Sequence, residues 1–158
     1  DQLGYQAESG PWRDIYLTGA FELRHQRPNA PVELAQARGL LKAIPISGFL
    51  DAMAVRIDPE KVEGKNLVLN FVFTDIGETH VVELGNSVLN HRQGEPAPDP
   101  DATVRLTRGF WLDLVTGNAG LREMVFSDDF AIEGSRLAVV SFLGSLEKPA
   151  GAFNIVTP

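Results

Sequence analysis

Residues 67–84 read LVLNFVFTDIGETHVVEL, and this stretch decides the fold. Its first half places a large apolar side chain at every second position, namely Leu67, Leu69, Phe71 and Phe73. A period of two predicts a strand with one face against a core. Residues 75–78 (DIGE) predict a turn, and residues 79–84 predict the returning strand, with His80, Val82 and Leu84 on one side.

The pattern continues towards the C-terminus. A second turn at residues 85–86 and a third short strand over 88–92 predict an antiparallel meander, because connections this short cannot cross over. Residues 93–101 (QGEPAPDPD) predict a loop. Beyond it we predict a strand over 103–107, helices over 110–115 and 120–125, a strand over 130–133, and a last helix capped by Ser135.

The residues before the meander have helical spacing. A helix is predicted to start at Ser9-Gly10-Pro11 and to run to Arg24, and residues 26–31 (QRPNAP) interrupt the pattern. A second helix is predicted over 34–44, and a third is capped by Ser47 and ended by Asp58-Pro59. The whole predicts an α+β fold: a mostly antiparallel five-stranded sheet covered by helices on one face and preceded by a short helical segment.

Size and composition exclude several classes of function. The 158 residues suit one domain with a short appendage, and the net charge of −7 disfavours binding to nucleic acid. There is no cysteine and no run of 18 apolar residues, so disulfides, thiolate chemistry and a membrane span are not expected. The chain begins with Asp1 rather than Met, and we therefore expect a processed product or a fragment.

Recognisable catalytic patterns are missing. His25, His80 and His91 lack the spacing of a shared metal site, and we expect each at the surface or at a strand edge. No GxSxG, GxxxxGK[ST] or GxGxxG motif occurs. Asp128 and Asp129 are adjacent and are interpreted as turn residues. We predict neither a catalytic residue nor a metal ligand on this chain.

Aromatic residues concentrate in the second half of the chain, and two interpretations of them stay open. They form either an ordinary core or the lining of an apolar pocket between the sheet and its covering helices. Ten buried methylenes of an alkyl chain would contribute roughly 8 kcal/mol before the costs of binding. The candidate ligand-binding residues are Leu69, Phe71, Phe73, Phe110, Trp111, Leu114, Phe126, Phe130 and Leu143.

Several motifs resemble one known family. They are residues 6–13 (QAESGPWR), 16–20 (YLTGA), 22–24 (ELR), 53–60 (MAVRIDPE), 69–75 (LNFVFTD), 89–91 (LNH) and 106–108 (LTR), the last followed by Phe110-Trp111. Together they resemble the C-terminal part of the bacterial alkyl sulfatases of the metallo-β-lactamase type. The resemblance implies the end of a helical dimerisation region over 1–27, a linker over 28–32, and a sterol-carrier-protein-2-like domain over 33–158.

The resemblance also implies a function for the parent protein. That protein would hydrolyse alkyl sulfate esters with two zinc ions held by a catalytic domain before Asp1, so no cofactor is expected on this chain. The implied partners are an alkyl chain or fatty-acid-like molecule, that catalytic domain, and a second copy in a homodimer. The implied compartment is the periplasm or the exterior. Arg13 is a candidate for reaching a sulfate group in the intact enzyme, the alternative being a surface or interdomain ion pair.

Two hypotheses follow. In the first, the chain is a non-catalytic domain that binds apolar ligands and helps to recruit or hold the substrate tail. In the second, it is a structural module that completes a dimer and has no ligand of its own. Trp12, Ile15 and Tyr16 favour the second, because a short helix cannot bury such a stripe alone.

Overall fold

The structure is a computed structural model that describes residues 1–27, 38–116, 127, 129–147 and 154–156. It divides into two compact units, one comprising Asp1–Glu33 with Pro149–Pro158 and the other Leu34–Lys148. Within the first unit lie helices α1 (Gln2–Gln6) and α2 (Gly10–His25). The second unit has helices α3 (Arg38–Leu41), α4 (Ile46–Ala54), α5 (Pro59–Val62), α6 (Arg108–Thr116) and α7 (Arg136–Gly144), with strands β1 (Leu67–Phe73), β2 (Glu78–Gly85), β3 (Val88–Gln93), β4 (Ala102–Leu106) and β5 (Phe130–Gly134).

The first unit is a pair of helices in close contact. Pro11 lies in the first turn of α2, where the absence of an N–H costs nothing, as predicted. Gly4 of α1 packs on Leu17 of α2, and a Cβ at position 4 would lie 2.8 Å from the Leu17 side chain. An ion pair between Asp1 and Arg24 joins the two helices at their far ends.

The second unit is built on a five-stranded sheet of order β3-β2-β1-β4-β5. Strands β1, β2 and β3 form the predicted meander, in which Phe71 faces His80 and Val82 faces His91. Strand β4 pairs with β1 in parallel, Leu69 opposite Ala102, and β5 returns antiparallel to β4. The α+β class and the mostly antiparallel five-stranded sheet are confirmed.

The core lies between one face of this sheet and the helices. Leu69, Phe71 and Phe73 of β1 are buried there, as their alternation predicted. Helix α6 covers them with Trp111, whose ring is edge-on to Phe71 at 5.6 Å and to Phe73 at 5.7 Å between centroids. Helices α4 and α7 complete this layer through Phe49, Leu50, Met53, Ala138, Val139 and Phe142. On the opposite face, Asn70 is buried, and its amide exchanges hydrogen bonds with the backbone of Ala97 in the proline-rich loop.

Both boundaries predicted for the third helix are wrong. Helix α4 begins at Ile46 rather than after Ser47, because the carbonyl of Pro45 accepts the first hydrogen bonds, from Gly48 at 3.0 Å and Phe49 at 3.4 Å. That helix also ends at Ala54, before Asp58-Pro59. Asp58 instead caps α5, its carboxylate accepting from the backbone N–H of Glu60 at 3.1 Å. The predicted Ser135 cap is confirmed, since its hydroxyl accepts from the N–H of Ala138.

The predicted surface position of His80 is also wrong. Its side chain is 1% exposed, because its register opposite Phe71 turns it to the core face of β2. The ring stands edge-on to Phe73 at 5.9 Å, and its Nε2 lies 3.1 Å from a Glu78 carboxylate oxygen.

Three predictions fall outside the described residues: the linker over 28–32, the helix over 120–125 and Phe126.

Gly134 ends β5 in a conformation that other residues rarely adopt. Its φ is +91°, and a Cβ there would lie 2.7 Å from the carbonyl oxygen of Asp101. We expect Gly134→Ala to lower the free energy of unfolding by about 1–3 kcal/mol, measured by urea denaturation. The control is Gly109→Ala, where the new Cβ would meet nothing closer than 3.7 Å. Equal stability of the two variants would contradict the assignment of strain to Gly134.

Candidate ligand-binding pocket

A partly open pocket of about 490 Å³ lies among the helices of the second unit. That volume is in the range of small-molecule sites. No described residue of the sheet lines it. The described lining residues come from α4 to α7 and the segments that follow α4 and α7: Met53, Arg56, Lys61, Leu114, Val115, Leu143, Gly144 and Leu146.

Helical periodicity continues the core into this pocket. Leu114 and Val115 follow Trp111 by three and four residues, so they lie on the same face of α6 as the buried indole. Met53 ends the buried stripe of α4, and its flexible thioether suits an irregular cavity wall. The pocket therefore begins one turn beyond the packed aromatic layer.

A glycine forms part of the pocket lining. Gly144 is the last residue of α7, and a Cβ built there would meet no atom of the described residues within 4 Å. Its neighbours Leu143 and Leu146 contribute aliphatic side chains to the same wall. Since Gly144 belongs to the described lining, we expect a larger residue at this position to reduce the empty volume.

A short backbone bridge fixes one wall. Ile57 and Leu146 form an antiparallel bridge, flanked by hydrogen bonds from Asp58 N–H to the Ser145 carbonyl at 2.9 Å and from Glu147 N–H to the Arg56 carbonyl at 2.7 Å. The bridge joins the segment after α4 to the end of α7. The pocket is therefore held by backbone contacts as well as by side-chain packing.

The charged residues of the lining are both cations. The Arg56 guanidinium donates to the carbonyl oxygen of Glu147, with Nε at 2.9 Å. The Lys61 ammonium lies 2.8 Å from a carboxylate oxygen of Asp58. This hydrogen bond raises the pKa of Lys61 and lowers the pKa of Asp58, so both groups are charged at neutral pH.

The predicted ligand-binding residues fall into three groups. Leu114 and Leu143 line the pocket. Phe126 lies outside the described residues. The others are buried in the packed layer between sheet and helices: Leu69, Phe71, Phe73, Phe110, Trp111 and Phe130. Contact of any of these nine residues with a ligand stays a prediction.

Sequence reasoning missed most of the lining. The prediction was based on the aromatic residues, which pack against each other and leave little space for a ligand. Six lining residues were not predicted as ligand-binding: Met53, Arg56, Lys61, Val115, Gly144 and Leu146. The sequence pattern that could have identified them is the aliphatic residues that continue the apolar stripe of each helix beyond its aromatic residues.

Other candidate chemistry is limited in the part of the chain that the structure describes. No three His, Asp or Glu side chains converge there as a metal site. None of the helices in the described ranges combines the length and apolarity needed to cross a bilayer. Arg13, the candidate for a sulfate contact, donates to the carbonyl oxygen of Ala7 at 2.8 Å.

Comparison with protein families gives one match that covers most of the chain. The family described as alkyl sulfatase C-terminal matches residues 35–158. A linear primary-alkylsulfatase from a Pseudomonas species is 39% identical over all 158 residues, which are 23% of its length. The alkyl/aryl-sulfatase BDS1 of Saccharomyces cerevisiae is 34% identical over the same span, 24% of its length. The chain thus spans about a quarter of these relatives.

The solved structure of an alkylsulfatase agrees with this match. The sec-alkylsulfatase Pisa1 from a Pseudomonas species superimposes on 99% of the chain with a TM-score of 0.75 and 33% identity, and the match covers 24% of that protein. A sterol carrier protein 2 like 2 from Aedes aegypti matches 71% of the chain and 99% of its own length, with a TM-score of 0.49 and 17% identity.

Proposed function

Because the chain belongs to the alkyl sulfatase C-terminal family, we propose that it binds the alkyl chain of an amphiphile for a parent enzyme that hydrolyses alkyl sulfate esters. The observation that carries this proposal is the pocket of about 490 Å³ among α4, α5, α6 and α7. Its described lining is mainly aliphatic, through Met53, Leu114, Val115, Leu143 and Leu146. The names of the relatives, which are alkylsulfatases, support an alkyl chain as the ligand.

The expected affinity follows from the hydrophobic effect. Each buried methylene contributes about 0.8 kcal/mol, so ten contribute roughly 8 kcal/mol before costs. Ordering the chain and losing translational freedom removes part of this. Because the pocket is partly open, not every methylene is desolvated. Micromolar dissociation constants are therefore the expected range.

In this proposal the chemistry belongs to another part of the parent enzyme. The two zinc ions that the family resemblance implies are assigned to a catalytic domain outside this chain. The described residues supply no cluster that fits a zinc ion, so no catalytic step is derived for them. The role of the domain is to recruit the substrate by its tail for that catalytic domain.

Binding is tested directly by calorimetric titration with dodecyl sulfate below its micelle concentration. We expect saturable binding in the micromolar range, with the fold checked by circular dichroism at each ligand concentration. A fluorescent fatty acid displaced by dodecyl sulfate serves as a second readout. Absence of saturable binding to the folded protein would reject the proposed function.

The pocket assignment has its own prediction. We expect Gly144→Leu to weaken dodecyl sulfate binding more than tenfold, because the new side chain occupies volume that is now empty. Gly144→Ala, which adds a single methyl group to the same site, should change the affinity by no more than about twofold. Unaltered binding by Gly144→Leu would place the ligand elsewhere on the chain.

A second candidate function rests on the first unit. Trp12 is 64% exposed on α2, with Ile15 and Tyr16 beside it along the helix. An exposed aromatic stripe of this kind favours a structural role in completing a dimer. Sedimentation velocity separates the two candidates, since a structural module would self-associate through α2 and bind no dodecyl sulfate.

A further inference from the structure

The charge of the pocket lining is opposite to that of the whole chain. The chain carries 21 acidic and 14 basic residues. The described lining nevertheless contains Arg56 and Lys61 and no Asp or Glu. A pocket that needed only to hold a hydrocarbon would not require cations beside its aliphatic wall.

Both cations retain donors for a ligand. Arg56 directs two of its five N–H groups, on Nε and one Nη, at the Glu147 carbonyl oxygen. Within the described part of the chain, no contact occupies the other three. Lys61 has three N–H donors, of which Asp58 engages one. The contact with Glu147 also restrains the guanidinium, so little further ordering is needed when it binds an anion.

The nearby acidic groups offset the charge of Lys61 in part and leave that of Arg56 in place. Asp58 pairs with Lys61 and is directed to the first turn of α5 by its cap hydrogen bonds. The Glu147 carboxylate also acts on Lys61 by charge attraction, raising its pKa. The Arg56 contact, by contrast, is to the backbone carbonyl of Glu147, and no carboxylate of the described residues forms an ion pair with the guanidinium.

We propose that Arg56 and Lys61 bind the anionic head of a single-chain amphiphile whose tail occupies the pocket. This inference rests on the proposed function and adds selectivity to it. The head is a tetrahedral or planar oxyanion, either a sulfate ester or a carboxylate, because both accept forked hydrogen bonds from a guanidinium. Neutral alcohols of equal length lack such a head and should bind more weakly.

The test compares three ten-carbon ligands, namely decyl sulfate, decanoate and decanol, by calorimetry. The wild-type protein should bind the two anions at least about tenfold more tightly than decanol, and added salt should weaken only the anions. The anion with the lower dissociation constant identifies the head group that the site prefers. Equal affinities for all three ligands would overturn the selectivity and leave the proposed function intact. Failure of all three to bind would overturn both.

Substitutions of Arg56 and Lys61 test whether these two residues cause the selectivity for anions. Arg56→Gln and Lys61→Gln should each reduce the affinity for decyl sulfate about tenfold, since each removes a charged donor, and should leave decanol within about twofold. Arg56→Lys, which keeps the charge, should recover part of the loss. The matched control is Arg92→Gln on β3, which changes the net charge by the same amount. Arg92 donates to the Glu95 carbonyl and is not among the described lining residues. If Arg56→Gln and Lys61→Gln weakened decanol binding as much as decyl sulfate binding, Arg56 and Lys61 would have only a structural role.

Discussion

Replacement of Trp111 by alanine is expected to lower the free energy of unfolding by about 3–5 kcal/mol. The indole is 0% exposed and stands edge-on to Phe49, Phe71 and Phe73 at once, so its removal opens a cavity where α6 meets the sheet. Domains of this size are typically stable by only about 5–15 kcal/mol. The variant should therefore unfold at much lower urea concentration, measured by far-ultraviolet circular dichroism.

Trp111→Phe separates packing from polarity at the same position. The indole Nε1 is buried without a hydrogen-bond partner in the described structure, and phenylalanine removes that polar atom with part of the ring. We expect a loss clearly smaller than that of alanine. Alanine and phenylalanine variants of equal stability would show that the three edge-on contacts do not hold α6 against α4 and the sheet.

Replacement of Glu22 by alanine should release the described part of the C-terminal tail. Its carboxylate is fully buried and accepts the backbone N–H groups of Ile155 at 2.8 Å and Val156 at 2.9 Å. Gly19, one turn earlier on α2, lets Val156 pack closely, since a Cβ at position 19 would lie 3.1 Å from a Val156 methyl group. Hydrogen bonds to a charged acceptor contribute about 1.5–3 kcal/mol.

Hydrogen exchange measures this release. We expect the amides of Ile155 and Val156 to lose protection by roughly thirtyfold or more, while those of β1 and β2 keep theirs. Glu22→Gln retains one acceptor oxygen and should show an intermediate loss. Glu8→Ala, at an exposed position, is the control. Unchanged exchange at Ile155 and Val156 would mean that the buried carboxylate does not hold the tail.

The strands were predictable because their signal is local. Alternation over residues 67–73 and 79–84 places Phe71 and Val82 on the buried face in both sequence and structure. The burial of His80 could have been predicted from the same alternation, which grouped it with Val82 and Leu84. A surface or strand-edge position was expected because the histidines lack the spacing of metal ligands, but the register of the strand buries this ring.

The pocket could be predicted only in outline. An apolar space near α6 follows from the aromatic content, yet its position depends on how rings from Phe49, Phe71, Phe73 and Trp111 fit together in three dimensions. The pairing of Glu22 with Ile155 joins residues 133 positions apart and has no periodic signal. Both features depend on non-local packing.

The parallel pairing of β1 with β4 has a consequence during synthesis on the ribosome. Residues 67–93 can form the meander as soon as they emerge, but the second edge of β1 stays unpaired until residues 102–106 follow. An unpaired apolar edge is a template for pairing with another chain. Nascent chains stalled before residue 102 should therefore be the species most prone to aggregate and most dependent on chaperones.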